Sequence, residues 1–187
     1  MRVLIADDEA LTRMGLRTIL RDLGHNVVGA AVDGEDAFNM ACETRPDLII
    51  LDIKMPRMDG LTAAAAIARH CPAPVVMLTA YSERALVERA AATESVQAYL
   101  VKPIREVNLA PVIDLAVARF AEWQALQQEA ADQQEALETR AVVERTKQLL
   151  MQRDGLTERE AFLQIQHEAR RQRLTMRQVA EDLLREP

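Results

Sequence analysis

Aromatic side chains are scarce in this chain: three Phe, two Tyr and one Trp make up 3% of 187 residues. Its core must therefore be built from Ala, Leu, Val, Ile and Met, and a hydrophobic content of 49% supplies enough of them. The six glycines form no glycine-rich cradle for a nucleotide. Only two cysteines occur, Cys42 and Cys71, far apart and in no CxxC arrangement. A disulfide is one alternative, but two buried or half-buried thiols in a reducing compartment are expected. His25, His70 and His167 show no metal-ligand spacing. No apolar run approaches the roughly 20 residues of a membrane span. The N-terminal stretch meets Asp7 and Asp8 too soon for a signal peptide, so a soluble, cytoplasmic protein is expected.

Charge is unevenly spread within the net −6. Residues 1–118 carry 12 basic and 16 acidic side chains, and residues 119–138 carry Arg119 against five acids. Residues 139–187 reverse the balance, with 10 basic and 8 acidic side chains, which suits a polyanionic partner.

The most informative stretch is Leu48-Ile49-Ile50-Leu51-Asp52, followed by Met55-Pro56 and Asp59-Gly60. An unbroken aliphatic run of this length reads as a strand buried on both faces. Proline cannot continue a central strand, so Asp52 closes it, either as a cap or as a functional group. Similar apolar strands are expected at 2–6, from Val27, at 75–78 and at 96–101. They alternate with helical patterns, the first carrying Leu11, Met14, Leu16, Ile19, Leu20 and Leu23 and the fourth spanning Glu83 to about Ala92. Five strands alternating with helices imply a doubly wound parallel sheet with right-handed crossovers. That topology brings the strand ends Asp7, Asp8, Asp52, Thr79 and Lys102 to one edge, where such sheets bind ligands.

Three carboxylates in one place repel unless a cation joins them, and Mg²⁺ suits a few carboxylates that share phosphate oxygens. Asp52 is then placed as a carboxylate nucleophile toward phosphorus, with Lys102 and the Thr79 hydroxyl neutralising or hydrogen-bonding the phosphoryl oxygens.

With Asp7-Asp8, Asp52, Met55-Pro56, Gly60, Thr79-Ala80 and Lys102-Pro103 in this order, residues 1–118 resemble a response-regulator receiver domain of two-component signalling. The resemblance implies a flavodoxin-like sheet of order 2-1-3-4-5, and Asp52 as phosphoacceptor for a sensor histidine kinase. It implies Mg²⁺ held by Asp7, Asp8 and Asp52 with the Lys54 backbone carbonyl, a cis Lys102-Pro103 peptide, and a switch pair of Thr79 and Tyr99. Such a chain is not a turnover enzyme; it assists phosphoryl transfer to its own Asp52 and the hydrolysis that follows.

After Pro111 no Gly or Pro occurs until Gly155, so residues 112–153 read as one long helix or two nearly continuous ones. Val112, Leu115, Ala116, Phe120, Trp123, Leu126, Ala130 and Leu137 recur in three- and four-residue steps. They form a candidate coiled-coil seam through a linker at 119–136; a solvated spacer is the competing possibility. Residues 137–187 read as three helices. Gly155 stops the first, Thr157-Glu158-Arg159-Glu160 opens the second as a capping box, and Thr175 caps the third. So small an all-α domain gains from dimerisation.

Arg140, Lys147, Arg170, Arg171, Arg173 and Arg177 supply the basic character of this tail. By composition alone they form either a solvated face or a binding site. In sequence order Arg140, Glu144, Lys147, Leu150-Met151, Gly155, Glu160-Ala161-Phe162, Ala169, Leu174 and Val179-Ala180 resemble the ANTAR output domain of AmiR- and NasR-like antiterminators. Gln148 stands where that family often has glycine, and mid-helix it is the better helix former. The resemblance implies binding of paired hairpins in a nascent transcript, by a homodimer that forms or opens on phosphorylation. With few aromatics to stack on, arginine planes and hydrogen bonds are expected to read the loops. A DNA-binding response regulator and a protein-interaction adaptor are the alternatives.

Overall fold

The computed structural model describes residues 1–80 and 96–185. Strands β1 (Arg2–Ala6), β2 (Asn26–Ala31), β3 (Leu48–Asp52), β4 (Val75–Thr79) and β5 (Ala98–Val101) form one parallel sheet in the order 2-1-3-4-5, the flavodoxin-like order. Helices α1 (Ala10–Asp22), α2 (Gly34–Thr44) and α3 (Gly60–His70) lie between strands; the helix expected at 83–92 falls outside the described residues. Strand β5 starts at Ala98, two residues later than expected. Ahead of it, the buried Gln97 accepts a hydrogen bond from the Val75 N–H through its side-chain oxygen at 2.8 Å.

Alternation along the strands separates two cores. Leu4, Ala6, Ile49, Leu51 and Met77 face α2 and α3, where Ala37, Ala41, Ala63, Ala64 and Ile67 allow close packing in place of aromatics. Val3, Ile5, Ile50, Val76 and Leu78 face the other way, against Leu16, Leu20, Leu109, Ile113 and Ala116. Two residues expected on the inner face of α1 lie outside: Leu11 is 82% and Met14 67% exposed. The inward stripe is Leu16 and Leu20, one turn apart, and Leu11 and Met14 fall off it.

The cysteines are not free. Cys42 of α2 and Cys71, the C-cap of α3, form a disulfide across 29 residues of sequence. Packing of α2 beside α3 brings together two thiols whose sequence separation carried no sign of it.

Helix α4 runs unbroken over Glu106–Asp154, with Pro111 as its sixth residue. Two compact units divide within it, Met1–Gln124 and Ala125–Pro187. In the first unit, Leu109, Ile113 and Ala116 join the sheet core, and Phe120 stacks on Trp123 at 5.6 Å between centroids. Of the expected seam, Leu126, Ala130 and Leu137 are exposed. This stretch supports itself through hydrogen bonds four residues apart: Gln128 to Asp132, Gln133 to Glu129 and Gln134 to Glu138.

In the second unit, α5 (Glu158–Gln172) and α6 (Met176–Arg185) pack with the end of α4 around Val143, Leu150, Ala161, Ile165, Ala169, Val179 and Ala180. The capping box forms as the sequence predicts. Thr157 Oγ1 accepts from the Glu160 N–H, and Glu160 accepts from the Thr157 N–H at 2.8 Å. The buried Thr146 hydroxyl donates to Ala180 O at 3.0 Å, locking α6 to α4. No helix among the described residues is long and apolar enough to cross a membrane.

Candidate functional site

Every strand of the sheet is parallel, so all carboxyl ends share one edge, and the end of β1 supplies Asp7 and Asp8 there. Asp7 is wholly buried and Asp8 is exposed. Asp7 Oδ1 accepts from the Glu9 N–H at 2.9 Å, which fixes its rotamer at the start of α1. Arg13, one turn into α1, donates to the backbone carbonyls of Asp7 and Asp8 at 2.7 and 3.0 Å. Nothing in the residue order points to this clamp beyond a basic residue shortly after the acidic pair.

Asp52 ends β3 and is 6% exposed. The chain after it turns sharply: the Gly60 N–H donates to Ile53 O at 2.9 Å, and the Ile53 N–H to Leu78 O at 3.1 Å. Gly60 is required by close approach, because a Cβ there would stand 1.9 Å from the Asp52 carbonyl oxygen. Lys54 lies exposed on this β3–α3 loop. The loop is also held from α2. The Gly34 N–H donates to Met58 O at 3.1 Å, and Arg57, with a left-handed φ of 62°, pairs with the buried Asp33 that caps α2. Sequence reasoning missed this tie, although Asp33-Gly34 marked the cap.

Closest oxygens of Asp7, Asp8 and Asp52 all lie within 4.8 Å of one another. Lys102, at the end of β5, places Nζ 2.8 Å from Asp7 Oδ2 and 2.9 Å from Asp52 Oδ1. Burial lowers the lysine pKa, but hydrogen bonds and charge from Asp7 and Asp52 outweigh it and leave the ammonium above its ordinary value. The Lys102-Pro103 peptide is cis, and the Lys102 N–H donates to Thr79 O at 2.9 Å. Three oxygen-donor groups, one of them open to solvent, fit a hard divalent cation such as Mg²⁺.

Thr79 closes β4 and is 3% exposed, with Oγ1 donating to Ala80 O at 3.1 Å. Tyr99 on β5 packs against the core on the α2–α3 side. Its hydroxyl is buried without a hydrogen-bond partner among the described residues, and burial raises its pKa.

The basic residues of the second unit divide into two groups. Lys147 is 8% exposed and held between Glu144 at 2.8 Å and Glu158 at 2.7 Å, so it ties α5 to α4. Arg171 pairs with Glu168, and Arg177 with Glu138 and Glu181 at 3.0 and 2.9 Å. Arg140, Arg170 and Arg173 are exposed and make no ion pair among the described residues.

Comparison with known proteins divides the chain in the same way. The family model "Response regulator receiver domain" matches residues 3–114, and the ANTAR domain model matches residues 131–184. The transcriptional regulatory protein PdtaR of Mycobacterium tuberculosis is 52% identical over 183 residues, 98% of this chain and 89% of that protein. Among solved structures, the REC domain of AraT, a response regulator from Geobacillus stearothermophilus, is 35% identical. It aligns with a TM-score of 0.56 over 68% of this chain and 97% of its own. A chain of the CheX–CheY–BeF3–Mg²⁺ complex from Borrelia burgdorferi is 30% identical, with a TM-score of 0.57 over 60% of this chain and 86% of its own.

Proposed function

Because the chain belongs to the response regulators, joining a receiver domain to an ANTAR domain as a transcriptional regulator, we propose that it is a phosphorylation-controlled antiterminator acting on hairpin RNA. The observation that carries this is the presence, in one chain, of a phosphoacceptor-type acid cluster and a C-terminal match to ANTAR.

The donor is a sensor histidine kinase; an Asp52 carboxylate oxygen attacks the phosphorus as the donor phosphohistidine's N–P bond breaks, and the imidazole departs with the bonding pair. Asp7, Asp8 and Asp52, with the Lys54 backbone carbonyl, would hold Mg²⁺, which when bound adds positive charge to the phosphoryl oxygens. Lys102 is already directed at the Asp52 carboxylate and meets the same charge from the other side. The Thr79 hydroxyl leaves Ala80 O for a phosphoryl oxygen, and the Tyr99 ring moves into the space it vacates. Lacking a hydrogen-bond partner among the described residues, the Tyr99 hydroxyl opposes that movement with little enthalpy. A homodimer formed or opened by this change, using Leu126, Ala130 and Leu137 on α4, presents two ANTAR units to paired hairpins. Exposed arginines hold phosphates, and the stabilised hairpin lets transcription continue.

The test is RNA binding by the full-length protein on a two-hairpin RNA, with and without beryllofluoride and Mg²⁺, with Asp52→Ala and duplex DNA as controls. The expected result is mimic-dependent binding that is lost in the variant and resists DNA. Equal binding in both states removes phosphorylation as the control. Displacement by duplex DNA favours a DNA-binding regulator, and no binding to either nucleic acid leaves a protein-interaction adaptor.

A further inference from the structure

Helix α5 carries on its solvent side a row of residues that its own unit does not use. Arg159, Phe162, Gln166 and Arg170 follow at steps of three and four, which keeps them on one face, and Arg173 follows as the C-cap. The adjoining face, Ala161, Ile165 and Ala169, fills the core. No carboxylate interrupts the row. The acids of α5 are otherwise engaged: Glu158 on Lys147, Glu160 in the capping box, and Glu168 on Arg171 and Gln172. Arg159, Arg170 and Arg173 are exposed and form no ion pair among the described residues.

Phe162 stands out within this row. It is the one Phe, Tyr or Trp after Trp123, in a chain with few aromatics. It is 39% exposed and does not belong to the apolar cluster that holds the three helices together. Its ring forms a shared wall of two surface grooves. One, of about 800 Å³, also has Arg140, Val143 and Met176, with Asp132 and Glu135 across it on α4 and Glu144 and Glu158 held by Lys147. The other, of about 460 Å³, has Thr157 and Arg159 beside the same Lys147–Glu158 pair. Along α5 itself the ring stands open between Arg159 on one side and Arg170 and Arg173 on the other, an arrangement that a flat, anionic partner can cover.

We infer that Phe162 is a stacking platform for an unpaired base of a hairpin loop, with Arg159, Arg170 and Arg173 holding the phosphates beside it. This deepens the RNA reading above and depends on it. Charge complementarity selects a polyanion, and the exposed ring selects one that offers an unstacked base, which a loop does and an intact duplex does not. It also supplies the aromatic contact that the composition of the chain had discouraged. Lys147, Arg171 and Arg177, already engaged by carboxylates, are left out of the interface.

The experiment uses full-length protein with beryllofluoride and Mg²⁺. A pool of two-hairpin RNAs with randomised loops yields a binder to the unaltered chain, and 2-aminopurine is then placed at each loop position in turn. Quenching at one position is expected. Phe162→Leu, which keeps apolar bulk without a ring, should lose roughly ten- to a hundredfold in affinity together with that quenching. Its dependence on salt should not change. Phe162→Tyr should restore both affinity and quenching. Arg159→Ala and Arg170→Ala should each lower the slope of log affinity against log salt by about 0.7, the increment for one single-strand phosphate contact. Arg171→Ala should leave the slope as it is. Unquenched loops, or a Phe162→Leu protein that binds and quenches like the unaltered chain, overturn the platform while leaving RNA binding in place. A pool that yields no binder removes the RNA reading, and the platform with it.

Discussion

At Gly60 a single hydrogen atom separates Asp52 as the fold places it from a displaced Asp52. A methyl group there would meet the Asp52 carbonyl oxygen at 1.9 Å, backbone against backbone, where nothing flexible can yield. Gly60→Ala should therefore cost about 1–3 kcal/mol or more in urea denaturation, and slow phosphorylation of Asp52 by a small phosphodonor. Tyr99 presents the opposite case, a polar atom whose removal should do no harm. At neutral pH Tyr99→Phe should be as stable as the unaltered chain or more so, because the buried hydroxyl has no bond to lose among the described residues. Burial holds its folded pKa above the ordinary value of 10.0. The protonated hydroxyl is thus favoured in the fold, and the unaltered chain should lose stability as pH rises beyond about 10. A melting series across that range should show a shallower fall for Tyr99→Phe. The strand-end residues Asp7, Asp8, Asp52, Thr79 and Lys102 were legible in the sequence because each follows an aliphatic run and parallel topology collects them. Arg13 and Arg57 were not, since a long side chain reaching back to a backbone carbonyl or across to another helix leaves no pattern in spacing.

Among the elements, α2 and α3 are joined by the Cys42–Cys71 bond, and α5 is started by its capping box. Closing a loop of 29 residues removes unfolded-state entropy worth up to about 3–4 kcal/mol by the chain-entropy model. Adding reductant, or replacing both cysteines by serine, should lower unfolding stability by up to that amount. Thr157→Ala should cost about 1 kcal/mol, read in the melting of the C-terminal unit. Hydrogen bonds from the Thr157 side chain and backbone hold the Glu160 carboxyl below its ordinary pKa. The stabilisation from that pair is present above about pH 4.5 and lost as pH falls through the lowered value, a loss that Thr157→Ala should lessen, the backbone N–H of residue 157 remaining as donor. Capping-box spacing is local, so the sequence could carry it. The disulfide is tertiary: nothing between residues 42 and 71 states that two helices lie side by side. Leu11 and Met14 misled for a related reason, because a helix with apolar residues on more than one side does not declare which side the sheet covers.

Taken whole, the chain is two compact units sharing one helix, and the absence of Gly and Pro between Pro111 and Gly155 makes that helix legible. Where the units divide was not legible, since the helical pattern runs through the boundary. Between residues 125 and 138 α4 has no core of its own and relies on local hydrogen bonds, so a break there should leave both units folded. Ala130→Pro, at about 3 kcal/mol of local helix cost, should leave beryllofluoride binding and basal RNA affinity intact. What it should abolish is the effect of one on the other, measured by repeating the binding isotherms with and without the mimic. Covalent connectivity has its own consequence for how phosphorylation would be detected. Trypsin does not cut Arg45-Pro46, so Asp52 and Cys42 share the fragment 22–54, while Cys71 lies in the fragment 70–84. With the disulfide intact, a phosphorylated digest should carry its label on a branched species of two peptides, and a mass search for the linear 22–54 fragment alone would score the protein as unmodified.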